Sequence, residues 1–263
     1  MTSILLTGGT GELGTLITEK LRSSQYDVVV AGRNTKPSFS LGYLDRSILD
    51  GIDIVIHAAY DFSCRNFESS RSLNVDGTKR IIDATRAKGI KFIFLSSDSV
   101  VTSPNSIYGR SKLEIENYLK SISYGQIIRI GIIAGNSPLG PFSKIYQIAK
   151  KTRVVIIPSP DKKIYLHTNI DQVFTTIDQL IKLPPTPVGV RYPSKSLNRE
   201  SLNKIYRLNY GNRYLFLPVS IKLIKVLVKF ASIVHLKIGI RSDSLEINDG
   251  VASKDEDVLP FIQ

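Results

Sequence analysis

The sequence has one cysteine, Cys64, among 263 residues. That excludes an intrachain disulfide framework and fits a reducing compartment, so a cytoplasmic location is expected. No apolar run reaches the roughly 18 residues of a membrane-spanning helix. Met1 to Leu6 carries no basic stretch and no cleavage site, so no secretory signal is expected there. Acidic residues are the scarcer charge: 23 Asp and Glu stand against 35 Lys and Arg, a formal net charge of +12. The excess reads first as a solvated Lys/Arg-rich surface and second as a preference for phosphate-bearing ligands. The basic residues are scattered and no run resembles a nucleic-acid motif, so nucleic acid is not an expected partner. There is no internal repeat and no low-complexity tract, and no metal site is expected.

What is present is an alternation of apolar strands and amphipathic helices. Ser3 to Thr7, Asp27 to Ala31, Ile52 to Ile56, Lys91 to Leu95 and Gln126 to Ile130 read as strands. A short strand is also expected within Ser38 to Leu49. Helical spacing follows from Leu13 to Leu21, from Ser72 to Lys88 with Gly89 closing it, and from Tyr108 to Leu119. Strands alternating with helices predict an α/β fold with a parallel sheet covered on both faces, and the near-continuous Val, Ile and Leu suit that burial. Beyond about residue 135 the pattern weakens and prolines cluster. The expected organisation is a doubly wound, Rossmann-type domain over 1–135. A smaller C-terminal substrate lobe over 136–263 returns some segments to the sheet.

Thr7-Gly8-Gly9-Thr10-Gly11-Glu12-Leu13-Gly14 places glycines at 8, 11 and 14. The turn follows a strand and opens a helix, where glycines let the backbone approach a pyrophosphate and the helix N-terminus offers N–H groups and partial positive charge. The residue ending the second strand sets the choice of dinucleotide: an acid there would bond the adenosine ribose and repel a 2′-phosphate. Here it is Arg33, whose guanidinium matches a phosphate in geometry and charge. NADP(H) is therefore the favoured cofactor, with NAD(H) the alternative.

Tyr108-Gly-Arg-Ser-Lys112 opens a helix, and residues four apart share a face. An ammonium held near a phenol is expected to lower the tyrosine's pKa, which would make Tyr108 a general acid/base. The preceding strand ends at Ser96-Ser97, from which Ser97 can bond the same reacting oxygen. His57, at the end of a strand, reads as a packed histidine rather than a base.

In TGGTGELG at 7–14, IDIVIHAA at 52–59, NVDGT at 74–78, FIFLSSDSV at 92–100, YGRSK at 108–112 and, less closely, LHTNIDQV at 166–173, the chain resembles the extended short-chain dehydrogenase/reductases. That branch contains nucleotide-sugar epimerases, dehydratases and reductases. The resemblance implies that Gly8, Thr10, Gly11, Glu12, Leu13 and Gly14 line the pyrophosphate and that Ala58 and Ala59 lie along the adenosine. It implies catalysis by Ser97, Tyr108 and Lys112, with Lys112 also holding the nicotinamide ribose. Asn74 would support the active-site helix, or cap a helix in the plainer reading. A homodimer through the Tyr108–Lys112 helix and its neighbour is implied too. The chain departs from the pattern in three places. Tyr43 or Asp45 stands where an acidic residue near the adenine is usual, the spacer from Ser97 to Tyr108 is short, and Arg129-Ile-Gly lacks the usual proline.

Asp98-Ser99 follows the catalytic serine where the family's dehydratases carry an Asp-Glu pair, which disfavours elimination. The expected activity is NADPH-dependent reduction of a keto group on a nucleotide-linked sugar. The alternatives are an epimerase with tightly held NAD and a non-catalytic NAD(P)-binding sensor or assembly protein. In Pro218 to Val234, Lys222, Lys225 and Lys229 share one helical face. The segment reads as an amphipathic helix packed on the core, with membrane-surface contact as the other possibility. The tail after Asp243 is polar and acidic.

Overall fold

Apolar residues alternate along the first strands, and each alternation feeds two cores. The structure, a computed structural model, describes residues 1–133, 147, 149–159, 165–184, 187–197, 214–220, 223 and 226. Strands β1 (Ser3–Thr7), β2 (Asp27–Ala31), β3 (Ile54–His57), β4 (Lys91–Ser97) and β5 (Gln126–Ile130) pair in parallel, and β9 (Gly189–Arg191) joins beyond β5. The order is β2-β1-β3-β4-β5-β9, and a short helix α4 (Ser99–Thr102) follows β4. Leu5, Val55, Phe92, Phe94 and Ile127 point to one face, against Ile81 and Ile82 of helix α3 (Asp76–Ala87) and Ile115 and Leu119 of α5 (Ile107–Ser121). Ile4, Leu6, Ile54, Ile56, Ile93, Leu95 and Ile128 point to the other. There they meet Ile17 and Leu21 of α1 (Glu12–Ser23) and Val173, Ile177 and Leu180 of α6 (Ile170–Lys182). This is a doubly wound Rossmann-like α/β fold.

Helix α6 starts with a capping box: the Asn169 side chain accepts from the Asp171 N–H, and Gln172 accepts from the Asn169 N–H. Outside the main sheet, β6 (Ile132–Ile133) and β8 (Tyr165–Thr168) pair in parallel, and β10 (Ser194–Leu197) runs antiparallel to β8. β7 (Val154–Ser159) and β11 (Leu215–Ser220) form a separate parallel pair.

Two expectations are corrected. No strand forms within 38–49: the segment makes only the isolated bridges Gly32–Ser38 and Ser40–Tyr43, then a 3-10 turn at Arg46–Leu49 that Asp45 caps through the Ser47 N–H. The helix expected from Ser72 begins earlier, with α2 (Phe67–Ser70) and a π-helical turn over Arg71–Val75 ahead of α3. That wider turn carries Asn74 into the interior, where its side chain bonds the loop after β3. Pro218 to Ser220, expected to start a helix, instead end strand β11; most of the remainder to Val234, and everything after Asp243, lies outside the described residues. Among the described residues no helix is long and apolar enough to cross a membrane.

Candidate active site

From β1 the chain steps to β2 on one side and later to β3 on the other. Such a reversal opens a crevice at the carboxyl ends of the strands. The glycine turn fills one end of it. Gly8 has φ +74°, and its N–H donates to the Ala31 carbonyl at 2.8 Å. A β-carbon there would stand 2.6 Å from the Ala59 nitrogen, so the turn lies directly on Ala58-Ala59. At Gly14 a β-carbon would come within 2.2 Å of the Gly8 carbonyl, which is how closely α1 starts against the turn. No side chain caps α1 at Gly11. The uncapped first-turn amides of α1 thus lie beside the glycine turn, the arrangement in which a helix start can receive an anion. Arg33 lies two residues beyond β2, its side chain 78% exposed and 3.5 Å from Asp61.

His57 is fully buried between β1 and α3, with Nδ1 2.7 Å from the Thr7 hydroxyl and Nε2 3.0 Å from the Thr78 hydroxyl. Thr78 donates its own proton to the Asn74 carbonyl, so it accepts from His57 Nε2–H, and Nδ1 accepts from Thr7. Burial, and then the Lys112 charge, push its pKa down to about 3. It is a neutral tie between strand and helix, in keeping with a packed histidine.

The other end of the crevice is built from side chains. The ring of Tyr108 is partly exposed, while its hydroxyl end lies deep. Lys112 is 2% exposed and donates to the Leu95 carbonyl at 2.7 Å, with its ammonium 4.5 Å from the Phe94 ring centre and 5.7 Å from that of Tyr108. Burial pushes Lys112 down to about 7. The expected lowering of Tyr108 is not found. Burial raises its pKa above the ordinary value, the neighbouring Tyr60 adds to this, and only a hydrogen bond with Ser97 pulls it back. The physical reason is that burial disfavours the charged phenolate more than the hydrogen bond with Ser97 favours it. Tyr108 is thus a neutral phenol, the form that donates a proton. Ser97 itself donates to the Ser99 hydroxyl and accepts from the Ser99 N–H, both at 3.1 Å.

The structure brings Ser97, Tyr108 and Lys112 together, and Gly8 against Ala58 and Ala59. The segment after Ala59 links these two groups. Tyr60 presents its ring edge to Tyr108 at 4.8 Å between centres, and Phe62, 59% exposed, lies 5.5 Å from the same ring. Tyr60 is held by Ser70, which also meets the Ser111 hydroxyl on α5. Asn74 donates to the Asp61 carbonyl and accepts its N–H, so it supports this linking loop, and it also donates to Ser70, which bonds α5. Sequence reasoning missed Tyr60, Phe62 and Glu116. The first two could have been found as aromatics directly following a strand end at the crevice. Glu116 could have been found as an acid continuing the four-residue spacing of Tyr108 and Lys112. Among the described residues no group of His, Cys, Asp and Glu is placed to hold a metal ion.

A family model described as the NAD dependent epimerase/dehydratase family matches residues 4–156. A Methanocaldococcus jannaschii protein named provisionally as a UDP-glucose 4-epimerase is 30% identical over 151 residues, 44% of this chain and 50% of that protein. The methionine adenosyltransferase 2 subunit beta of Bos taurus is 26% identical over 157 residues, 50% of this chain and 47% of that protein. The chain thus spans about half the length of the curated relatives it matches. The structure of a dTDP-4-dehydrorhamnose reductase from Bacillus anthracis, in complex with NADP, superposes with a TM-score of 0.70 at 19% identity, covering 85% of this chain and 86% of that one.

Proposed function

The chain belongs to the NAD dependent epimerase/dehydratase family, and from that premise we propose that it reduces a keto group of a nucleotide-linked sugar with NADPH. The observation that carries this reading is the Tyr108 phenol: neutral, within hydrogen-bonding reach of Ser97, and set on a helix with the buried Lys112. The glycine turn at Gly8 to Gly14 and the start of α1 would hold the pyrophosphate, with Thr10, Glu12 and Leu13 alongside and Ala58-Ala59 beneath the adenosine. Lys112 would hold the nicotinamide ribose. When bound, the nicotinamide supplies the hydride that reaches the carbonyl carbon. Tyr108 then gives its phenolic proton to the oxygen on which negative charge develops. Ser97 turns its hydroxyl from Ser99 to the same oxygen. The Lys112 ammonium stabilises the phenolate left behind until solvent reprotonates it. The substrate's diphosphate suits the basic balance of the chain.

The test is consumption of NADPH with a panel of nucleotide-linked 4-keto sugars, read alongside net epimer formation from UDP-sugars without added cofactor. Turnover in the first arm supports the reductase. Turnover in the second alone transfers the reading to the epimerase, the activity in the name of the Methanocaldococcus relative. Silence in both arms, with NADPH still bound, sinks catalysis and leaves a binding or assembly role of the kind the subunit relative suggests. We place the homodimer interface on the outer faces of α3 and α5. There Arg71 and Lys79 pair with Glu114, and Tyr118 donates to Asp83. A dimer on so charged a face dissociates with rising salt in sedimentation.

A further inference from the structure

Helix α5 presents one face to β4 over three successive turns, through Tyr108, Lys112 and Glu116. Each meets a different residue at the end of that strand. Tyr108 lies within hydrogen-bonding reach of Ser97, Lys112 donates to the Leu95 carbonyl at 2.7 Å, and Glu116 accepts from the Ser96 hydroxyl at 2.5 Å. The last of these is the most deeply set. Glu116 is 0% exposed and Arg129 is 3% exposed. Arg129 lies opposite Ser96 on β5, and its guanidinium grips the carboxylate as a fork, with Nε 2.9 Å from Oε1 and Nη2 2.6 Å from Oε2. Its Nη1 donates to the Tyr192 hydroxyl just beyond β9. One carboxylate therefore ties α5 to β4 and β5, and through Arg129 to the edge of the sheet.

We propose that Glu116, locked by Arg129 and Ser96, is a positioning residue for the Tyr108–Lys112 pair, setting the register of α5 on β4 and keeping the buried Lys112 ammonium charged. This rests on the reading that Tyr108 and Lys112 carry the chemistry. A fixed fork with a second donor on the carboxylate allows the helix one rotation and one height, and these decide where Tyr108 meets Ser97. The charge argument follows from what surrounds Lys112. Tyr108 and Glu116 face it from its own helix, Tyr60 from the loop after β3, and neutral His57 from β3, while β4 offers a carbonyl and the Phe94 ring. Of these, Glu116 is the carboxylate, and it opposes the downward push of burial on Lys112.

The test reads Lys112 directly, without substrate, by the pH titration of its side-chain nitrogen in 15N-lysine-labelled protein, with Lys112→Arg identifying the signal. In Glu116→Gln the midpoint is expected to fall by about one pH unit or more, and Glu116→Asp is expected to recover most of that fall. Glu116→Gln leaves Arg129 buried without its counter-charge and is prone to misfold. The doubly neutralised Glu116→Gln/Arg129→Met removes that liability; because the Arg129 charge leaves with the carboxylate, its expected fall is in the same direction but smaller. An unmoved midpoint in a folded Glu116→Gln or in the double variant overturns the proposal, whatever happens to melting temperature. A moved midpoint in a protein that turns over no substrate upholds it and counts only against the catalytic reading.

Discussion

The two ends of the crevice are built from different material. At the glycine turn it is backbone that lines the crevice: Gly8 sits at positive φ against Ala59, Gly14 closes on the Gly8 carbonyl, and α1 begins without a side-chain cap. At the α5–β4 end the backbone is ordinary, and ionisable side chains are buried, with Lys112 beside Glu116 and Arg129. The first end is made by removing side chains, so its tolerance is steric. The second is made by burying charge, so its tolerance is electrostatic, and it works against folding stability while it serves reactivity.

Tyr108→Phe makes the deepest cut between the two ends. It removes one hydroxyl at the side-chain end and nothing at the backbone end. Turnover is expected to fall about 10³-fold, within the range for losing a positioned acid. NADPH affinity, by titration, is expected to stay within about threefold, since the glycine turn is untouched. A variant that loses both equally would show that the ends are not separable.

Gly8→Ala makes the reverse cut. The new methyl would meet backbone at 2.6 Å in a conformation that L side chains avoid, and neither Ala58 nor Ala59 has a flexible side chain to move aside. Dinucleotide affinity is expected to drop about 100-fold, close to 2.7 kcal/mol. The Lys112 titration, at the far end, is expected to hold. Calorimetry on the folded variant checks the first and labelled-lysine spectra the second.

The contrast also explains what could be read from the chain alone. Glycine spacing after a strand dictates its own backbone, so the turn, β1, β2 and α1 were legible residue by residue. Tyr108 and Lys112 were legible because four-residue spacing puts them on one face. Their surroundings were not. Glu116 meets Arg129 thirteen residues on, and Tyr108 meets Tyr60 across the crevice. Both pairings are set by how helix and sheet dock, which local pattern does not encode. The Tyr108 pKa was expected to fall because the lysine was considered and burial was not. Ser38 to Leu49 failed for a plainer reason: β2 is the sheet edge, and the segment beyond it gains only isolated bridges. The π-helical turn escaped because the inward pull of Asn74 comes from a loop it contacts in space.

Lys112→Met tests whether the side-chain end weakens the fold. The folded pKa, about 7, lies below the free value of 10.5. Between those values the unfolded chain binds more protons, so Lys112 makes stability rise with pH over that window, and the gain is lost as pH falls back through 7. Below it the folded protein carries a buried charge at full cost. Lys112→Met is expected to flatten this slope and to raise stability near pH 6 by about 2 kcal/mol, with turnover lost. The freed Leu95 carbonyl offsets part of the gain. Denaturant melts at several pH values decide it: a variant less stable than the parent near pH 6 would mean that Glu116 more than compensates the buried ammonium.

Arg33 belongs to the backbone end yet acts by charge, so it asks how far the division holds. Its guanidinium is mostly in solvent and only 3.5 Å from Asp61, whose carboxyl is held below its usual range chiefly by Ser63 and only lastly by Arg33. An exposed pair of this kind is worth about 0–1 kcal/mol, so Arg33 leaves Asp61 at little expense when a better anion arrives. A 2′-phosphate is such an anion, with two charges and oxygens spaced for a guanidinium fork. Arg33→Ser is therefore expected to weaken NADPH about tenfold, or 1.4 kcal/mol, and to leave NADH unchanged. Asp61→Asn, which removes the competitor, is expected to tighten NADPH by about twofold at low salt and by less as salt screens the site. Equal weakening of both dinucleotides in Arg33→Ser would make Arg33 a general anchor of the adenosine end. An unchanged NADPH affinity would leave the choice of cofactor to the backbone and return weight to a tightly held NAD.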